Sequence, residues 1–264
     1  PFCGGATGDV RITTRYNEAD FTESLMGVLH ETGHALYEGG LPSDWQFQPV
    51  GNALGMAVHE SQSLLIEMQV SRSRPFLNYA LPRMQSAFTG TGGAWDVDNI
   101  YRLYTRVEPG FIRVDADEVT YPLHVILRYR LERAMLSGDL DLADLPGAWN
   151  DAMGDLLGIT PPDDRLGCLQ DVHWPAGSFG YFPTYTLGAM AAAQFYRAAR
   201  RDMPDLEANI ATGNLAPLVS WLRTHVHGQG SCHTADELLS RATGEPLNPE
   251  IFLEHLKARY LGNS

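Results

Sequence analysis

The sequence predicts a mainly α-helical fold with a small β element near its start. Segments with helical spacing of apolar residues and recognisable caps recur along most of the chain, whereas polar and β-branched residues alternate over residues 9–16. The 264 residues, 44% hydrophobic and 19% charged, are enough to bury a sizeable core. We therefore expect a single folded domain over residues 1–264.

The charge balance limits which kinds of partner the protein can bind. The chain has 19 Lys and Arg against 32 Asp and Glu, a net charge of -13, which argues against nucleic acid and anionic membranes as partners. It has no apolar run long enough to span a bilayer. Cys3, Cys168 and Cys232 show no metal-ligand spacing, so we interpret them as reduced thiols and predict a cytoplasmic protein.

The alternating stretch at residues 9–16 is typical of a strand, with Asp9 and Arg11 on the same face. One interpretation is an ordinary half-buried strand. The other is a strand that lines a cleft, where Asp9 and Arg11 place polar groups near a substrate and an extended peptide can pair with the strand edge.

The first helix is predicted to begin after Asp20, with Glu23 three residues later as in a capping box, and to end at Gly39. It carries the sequence HETGH at residues 30–34. Two histidines four apart lie on one helix face, so both can bind the same metal ion, and Glu31 is placed to act as a base toward water there. The motif therefore indicates a zinc hydrolase.

A second long helix is predicted at residues 52–72 and is the expected source of a third ligand. We predict Glu60 as this ligand. Glu67, two turns later on the same helix, is the alternative ligand, or it orients a ligand histidine through a hydrogen bond. His59 is interpreted as a packed or hydrogen-bonded residue. Gly33 is either a tolerated glycine or the point at which this second helix crosses closely.

Further helices are predicted over residues 79–88, 96–106, 115–137, 145–157, 184–201, 206–212, 215–226, 234–243 and 249–260. Arg113, just before one of them in an acidic protein, is a candidate for gripping a carboxylate with two N–H groups. The neighbouring Asp115, Asp117 and Glu118 are interpreted as helix-capping acids.

The segment at residues 167–185 combines glycines, aromatic residues and one histidine, which is unusual for a solvent-exposed linker. In a cleft, His173 and a tyrosine from this segment can donate hydrogen bonds to a developing oxyanion. The alternative is that its aromatic side chains simply cover the core.

Several ordered motifs resemble those of one known family. They are Pro1-Phe2, DVRIT at residues 9–13, HETGH at 30–34, HESQ at 59–62, IRVDAD at 112–117 and GCLQDVHW at 167–174. With these motifs the chain resembles the M32 metallocarboxypeptidases, the Taq-type thermostable carboxypeptidases, over nearly its whole length.

The resemblance implies a mainly α gluzincin fold of the neurolysin and angiotensin-converting-enzyme type, with a small β-sheet edging the active-site groove. It implies a metal, Zn2+ or alternatively Co2+, bound by His30, His34 and Glu60. It also implies release of single residues from peptides with a free C-terminal carboxylate, which Arg113 would hold.

The expected mechanism uses Glu31 as the general base for the attacking water, with His173 and either Tyr181 or Tyr185 stabilising the oxyanion. Two other functions stay open: a catalytically silent metal- or peptide-binding protein, and an oligopeptidase or endopeptidase with an open groove.

The chain departs from the family in two ways. Leu64 and Ile66 stand where family members have Arg and Trp, and the long helical N-terminal portion that walls one side of the groove is not in this sequence. We expect apolar surface exposed by that departure to be covered in a homodimer.

Overall fold

The computed structural model describes residues 2–6 and 8–262, so Pro1 of the Pro-Phe motif lies outside the described residues. The predicted fold class is confirmed: helices dominate, and two strands form one small sheet. The strands are β1 Phe2–Ala6 and β2 Asp9–Thr13; the helices are α1 Phe21–Glu38, α2 Gly55–Leu64, α3 Arg74–Phe88, α4 Val97–Tyr104, α5 Tyr121–Ser137, α6 Leu145–Leu157, α7 Pro183–Asp202, α8 Leu206–Ala211, α9 Ala216–His225, α10 Ala235–Thr243 and α11 Pro249–Tyr260. Within the described part of the chain, no helix combines the length and apolarity needed to cross a bilayer.

The chain divides into two compact units. The first comprises residues 1–105 and 188–264, and the second comprises residues 106–187. Each has its own apolar core.

The core of the first unit is built from the buried faces of α1, α2, α3 and α7 to α10. Asp20 begins α1 as predicted, because its side chain accepts a hydrogen bond from the Thr22 amide at 2.8 Å. Helix α1 packs on α2 and also contacts both strands of the sheet. This helix therefore joins the sheet to α2 within the first unit.

The sheet is an antiparallel pair in which Cys3 lies opposite Ile12 and Gly4 opposite Arg11. The predicted strand is present but ends at Thr13. Its partner β1 has no alternating pattern, because its sequence FCGGA contains two glycines in five residues. For this reason the pattern revealed β2 and missed β1.

The predicted helix at residues 52–72 is divided in the structure. Helix α2 ends at Leu64, and the chain continues as a π-helix over Leu65–Ser71. Short π-helical segments are rare and occur often at functional sites. Here the π-helix carries Glu67, whose contacts are described below.

In the second unit, α5 and α6 pack on each other around Leu127, Trp149 and Met153. The prediction that α5 begins at residue 115 is wrong, since it begins at Tyr121. Before it, residues Arg113–Asp115 form a 3-10 turn, and the Asp117 side chain accepts hydrogen bonds from the amides of Val119 and Thr120, each at 2.9 Å. Asp117 thus caps a turn that precedes the helix.

Candidate functional site

A glycine allows the two motif-bearing helices to cross closely. A Cβ atom added to Gly33 would clash with the carbonyl oxygen of Gln62 and lie 2.5 Å from the Cα of Ser63. The second interpretation of Gly33, a close helix crossing, is therefore the one that the structure shows. This crossing brings the histidines of α1 to the acidic residue of α2.

His30, His34 and Glu60 converge at this crossing. One ligand atom from each lies within 4.8 Å of the others, and no other such three-residue group occurs among the described residues. The Oε2 atom of Glu60 is 3.3 Å from His34 Nε2 and 3.7 Å from His30 Nε2. Two imidazole nitrogens and one carboxylate oxygen are the donor set of a hydrolytic zinc site, so the residues fit a divalent metal ion.

Helix α7 passes close to Glu60 at Gly188. A Cβ atom on Gly188 would lie 2.8 Å from the Cβ of Glu60, so a larger residue there would displace the carboxylate. Glu31, which follows the first histidine, is buried on α1. A buried carboxylate beside such a donor set can act as a proton acceptor.

His30, the first candidate ligand, has a carboxylate partner. Glu67 Oε2 lies 2.9 Å from His30 Nδ1, and Glu67 is itself bound by Arg72 at 2.7 Å. Burial alone would lower the pKa of His30, but the hydrogen bond with Glu67 and the negative charges of Glu60, Glu67 and Glu31 raise it to about 9. Glu67 therefore orients His30, which is the second of the two roles considered for it from the sequence.

His34, the second candidate ligand, has a different partner. His34 Nδ1 lies 2.6 Å from His59 Nδ1, and His59 Nε2 lies 2.8 Å from Glu38 Oε1. Burial lowers the pKa of His59, against the opposing effect of its hydrogen bond with Glu38. His59 is thus a hydrogen-bonded residue, as interpreted from the sequence, and its partner is a candidate metal ligand.

In the second unit, Arg113 belongs to a buried charged cluster. Its Nε and Nη2 atoms donate to Asp171 Oδ1 at 3.1 and 2.8 Å, and its Nη1 donates to the Tyr121 hydroxyl. Arg128, fully buried, donates to the other oxygen of Asp171 at 2.5 Å. Burial would raise the pKa of Asp171, but the charges of Arg128 and Arg113 lower it. The carboxylate is therefore ionised between two cations.

The predicted oxyanion donors lie together in this second unit. His173 Nε2 is 2.9 Å from the Tyr185 hydroxyl, and the ring centroids of His173 and Tyr181 are 5.4 Å apart. Burial and the charge of Arg113 lower the pKa of His173, so its imidazole is neutral at pH 7. The guanidinium of Arg113 lies 4.7 Å from the Tyr185 ring centroid, which joins these residues to the arginine cluster.

Asp9 and Arg11 form an exposed ion pair with each other on β2. Arg11 Nη2 lies 2.6 Å from Asp9 Oδ2, and both side chains are more than half exposed. Such a pair is open to solvent and contributes little to stability.

Sequence reasoning assigned no role to Asp171, Arg128 or Glu38. Asp171 is part of the motif at residues 167–174, and that position is the signal that could have indicated it. Arg128 and Glu38 lie on helices among residues of ordinary helical pattern, and their partners are distant in sequence or on another helix. No local pattern reveals such contacts.

Comparisons with known proteins show which family this chain matches. The family model of carboxypeptidase Taq (M32) metallopeptidases matches residues 1–260. Thermostable carboxypeptidase 1 of Thermus thermophilus is 45% identical over 253 residues, which are 96% of this chain and 49% of that protein.

Among solved structures, metallocarboxypeptidase 1 of Trypanosoma cruzi has a TM-score of 0.95 at 47% identity, covering 99% of this chain and 55% of that chain. The M32 carboxypeptidase of Deinococcus radiodurans has a TM-score of 0.95 at 43% identity, covering 98% and 53%. This chain thus spans about half the length of the relatives it matches. By its sequence motifs, its fold and these matches, the chain belongs to the M32 metallopeptidase family, whose type is carboxypeptidase Taq.

Proposed function

We propose that residues 1–264 form a catalytic domain of a metal-dependent carboxypeptidase, which releases single residues from the C-termini of peptides. The observation that carries this proposal is the convergence of His30, His34 and Glu60 with the buried Glu31 beside the first histidine. A purely structural metal site has no use for such a base.

His30, His34 and Glu60 would hold the ion, which we propose to be Zn2+, with Co2+ as the alternative. When bound, the ion supplies Lewis acidity toward water and toward the scissile carbonyl group. Glu31 takes the proton of the attacking water and returns it to the leaving amine.

Arg113 is proposed to bind the terminal carboxylate of the substrate. Three of its five N–H donors are bonded to Asp171 and Tyr121 among the described residues, which leaves two for a ligand. Arg113 and Arg128 share one carboxylate, so their cluster has a surplus positive charge that an anionic group would neutralise.

We assign the stabilisation of the oxyanion to His173 together with Tyr181 or Tyr185. The hydrogen bond between His173 and Tyr185 supports this pairing. Asp9 and Arg11 are proposed to contact the substrate from the exposed face of β2.

Two further proposals concern the setting of the enzyme. The cysteines are free thiols, which supports a cytoplasmic location. Val114, Leu169 and Val172 are exposed apolar side chains. They lie on adjoining segments, because the Arg113 amide donates a hydrogen bond to Gln170 at 2.9 Å. This exposed apolar surface supports a homodimer. Light scattering at several protein concentrations tests the second proposal.

The decisive experiment measures residue release from peptides by the purified chain, after metal removal and after refilling with Zn2+ or Co2+. We expect metal-dependent release that is lost when the C-terminus is amidated. Glu31→Gln should keep one metal ion per chain and lower turnover by about 10²–10⁴-fold, while Glu23→Gln, an exposed acid in the first turn of α1, should not.

Three other results would contradict parts of the proposal. Turnover retained in Glu31→Gln would exclude that residue as the base. Equal cleavage of amidated peptides would indicate an endopeptidase. Metal binding without any hydrolysis would favour the silent binding protein.

A further inference from the structure

The partner of His34 differs in kind from the partner of His30. His30 meets a carboxylate directly, through Glu67 at 2.9 Å, whereas His34 meets the imidazole of His59 at 2.6 Å. The carboxylate on that side, Glu38, lies 2.8 Å beyond His59. One imidazole therefore stands between the candidate ligand and its carboxylate.

Side chains of α1 and α2 alternate along this series of hydrogen bonds. His34 and Glu38 are four residues apart on α1, so they share a helix face, while His59 precedes Glu60 on α2. The ring of His59 spans the gap, with Nδ1 toward His34 and Nε2 toward Glu38. The same side chain thereby links the two helices that supply the candidate ligands.

The candidate ligand atom fixes the direction of both hydrogen bonds. If His34 binds the ion through Nε2, the nitrogen that faces Glu60, it offers its lone pair there and the proton is on Nδ1. That N–H can donate only to an unprotonated Nδ1 of His59. His59 then carries its own proton on Nε2 and donates it to Glu38.

The ring of His59 is held in place. Its side chain is 14% exposed, and its ring packs edge-on against Tyr37 at 5.3 Å between centroids. Tyr37 is fully buried, and its hydroxyl accepts a hydrogen bond from the Leu54 amide at 2.9 Å. A ring fixed at this position can in turn fix the ring of His34.

We propose that His59, oriented by Glu38, is a positioning residue that sets the tautomer and ring orientation of His34 for metal binding. The inference rests on the proposed function, because it takes His34 as a metal ligand. Partners of this kind typically change metal affinity by about 10–100-fold when they are removed.

The test uses Co2+ as the probe, with the affinity of the metal-free chain measured by competition with a chromophoric chelator. The visible absorption spectrum of the Co2+ complex is recorded as well. We expect His59→Leu to bind Co2+ about 10–100-fold more weakly and with an altered spectrum. His59→Asn should recover most of the affinity and the spectrum, because its amide oxygen can replace Nδ1 as the acceptor.

Two further variants complete the test. Glu38→Ala should weaken binding in the wild-type background and have no added effect together with His59→Leu. His227→Leu is the matched control: it removes a fully buried imidazole that packs on the same Tyr37 ring at 5.3 Å and bonds to Gln62, with no hydrogen bond to a candidate ligand among the described residues. It should lower the thermal unfolding temperature and leave the Co2+ affinity unchanged.

The inference is overturned if His59→Leu binds Co2+ like the unaltered chain, or if His227→Leu weakens binding as much. If His59→Leu does not fold, an unchanged affinity in Glu38→Ala overturns it, and a weakened one supports it. If the unaltered chain binds no Co2+, the proposed function fails together with the inference. If the unaltered chain binds Co2+ and the His59 and Glu38 variants bind it equally well, only the inference is overturned.

Discussion

At the scale of single residues, Arg113 is the clearest case in which burial and charge point to a ligand. It is 5% exposed, and it shares Asp171 with a second arginine. A buried guanidinium with unused donors is costly unless a further anion binds it. Its geometry therefore agrees with a role in holding a carboxylate.

Arg113→Lys tests that role, since lysine keeps the charge but loses the two-pronged geometry. We expect kcat/KM for free-acid peptides to fall by about 10–100-fold, as is typical for the loss of a hydrogen bond to a charged group. Arg130→Lys, an exposed residue of α5, is the control and should have no effect. If Arg113→Lys lowers the thermal unfolding temperature and leaves KM for free-acid peptides unchanged, a merely structural role is indicated.

The residues that could be predicted at this scale are those whose spacing is itself the signal. His30 and His34 are four apart on a capped helix, and Glu31 adjoins the first of them. Glu67 was a candidate because it follows Glu60 on the same predicted helix, and His59 was interpreted as packed or hydrogen-bonded. No local pattern specifies which histidine each of them contacts, because Glu67 is 37 residues from His30 and His59 is 25 residues from His34. Only folding brings these side chains together.

At the scale of elements, the crossing of α1 and α2 is what assembles the candidate metal site. Gly33 permits this crossing, and Gly188 allows α7 to approach Glu60. Helix boundaries were predicted well where caps and prolines mark them, as in α6, over Leu145–Leu157, and α11, over Pro249–Tyr260. The π-helix at Leu65–Ser71 could not be predicted, since such segments are rare and the apolar residues here fit an uninterrupted α-helix.

Gly33→Ala tests the crossing. The added methyl group would meet the backbone of Gln62 and Ser63, so α2 must move, and we expect a loss of about 1–3 kcal/mol in the free energy of unfolding together with weaker metal binding. Gly154→Ala in α6 is the matched control, because nothing lies within 4 Å of its new Cβ. It should stabilise the protein by about 1 kcal/mol through helix propensity. Equal effects of both substitutions in calorimetry would exclude a close crossing.

At the scale of the whole molecule, composition and charge predicted a folded, acidic protein and apolar periodicity predicted helices, and the structure confirms the helical fold. What the pattern did not reveal is the set of long-range polar contacts inside each unit. Arg113 and Asp171 are 58 residues apart, and His227 and Gln62 are 165 residues apart. Such contacts determine how the stability of the protein responds to pH.

His227 leads to a prediction about that response. It is fully buried, its Nε2 donates to Gln62 Oε1 at 3.0 Å, and burial together with the charge of Arg223 lowers its pKa to about 3. An unfolded histidine has a pKa of about 6.5, so below that pH the unfolded chain binds a proton that the folded chain excludes. This residue therefore lowers stability as the pH falls from about 6.5 toward 3, by about 2 kcal/mol at pH 5 relative to pH 8.

His227→Gln isolates this contribution, because its amide group can still donate to Gln62 but takes up no proton. We expect the unaltered chain to lose more stability than the variant between pH 8 and pH 5, with the difference of about 2 kcal/mol measured by urea unfolding. The variant can be less stable at pH 8 without affecting the test, since only the change with pH is compared. Parallel losses in the two proteins would mean that His227 takes up a proton in the folded state as readily as in the unfolded one, and the acid sensitivity would then arise from other groups.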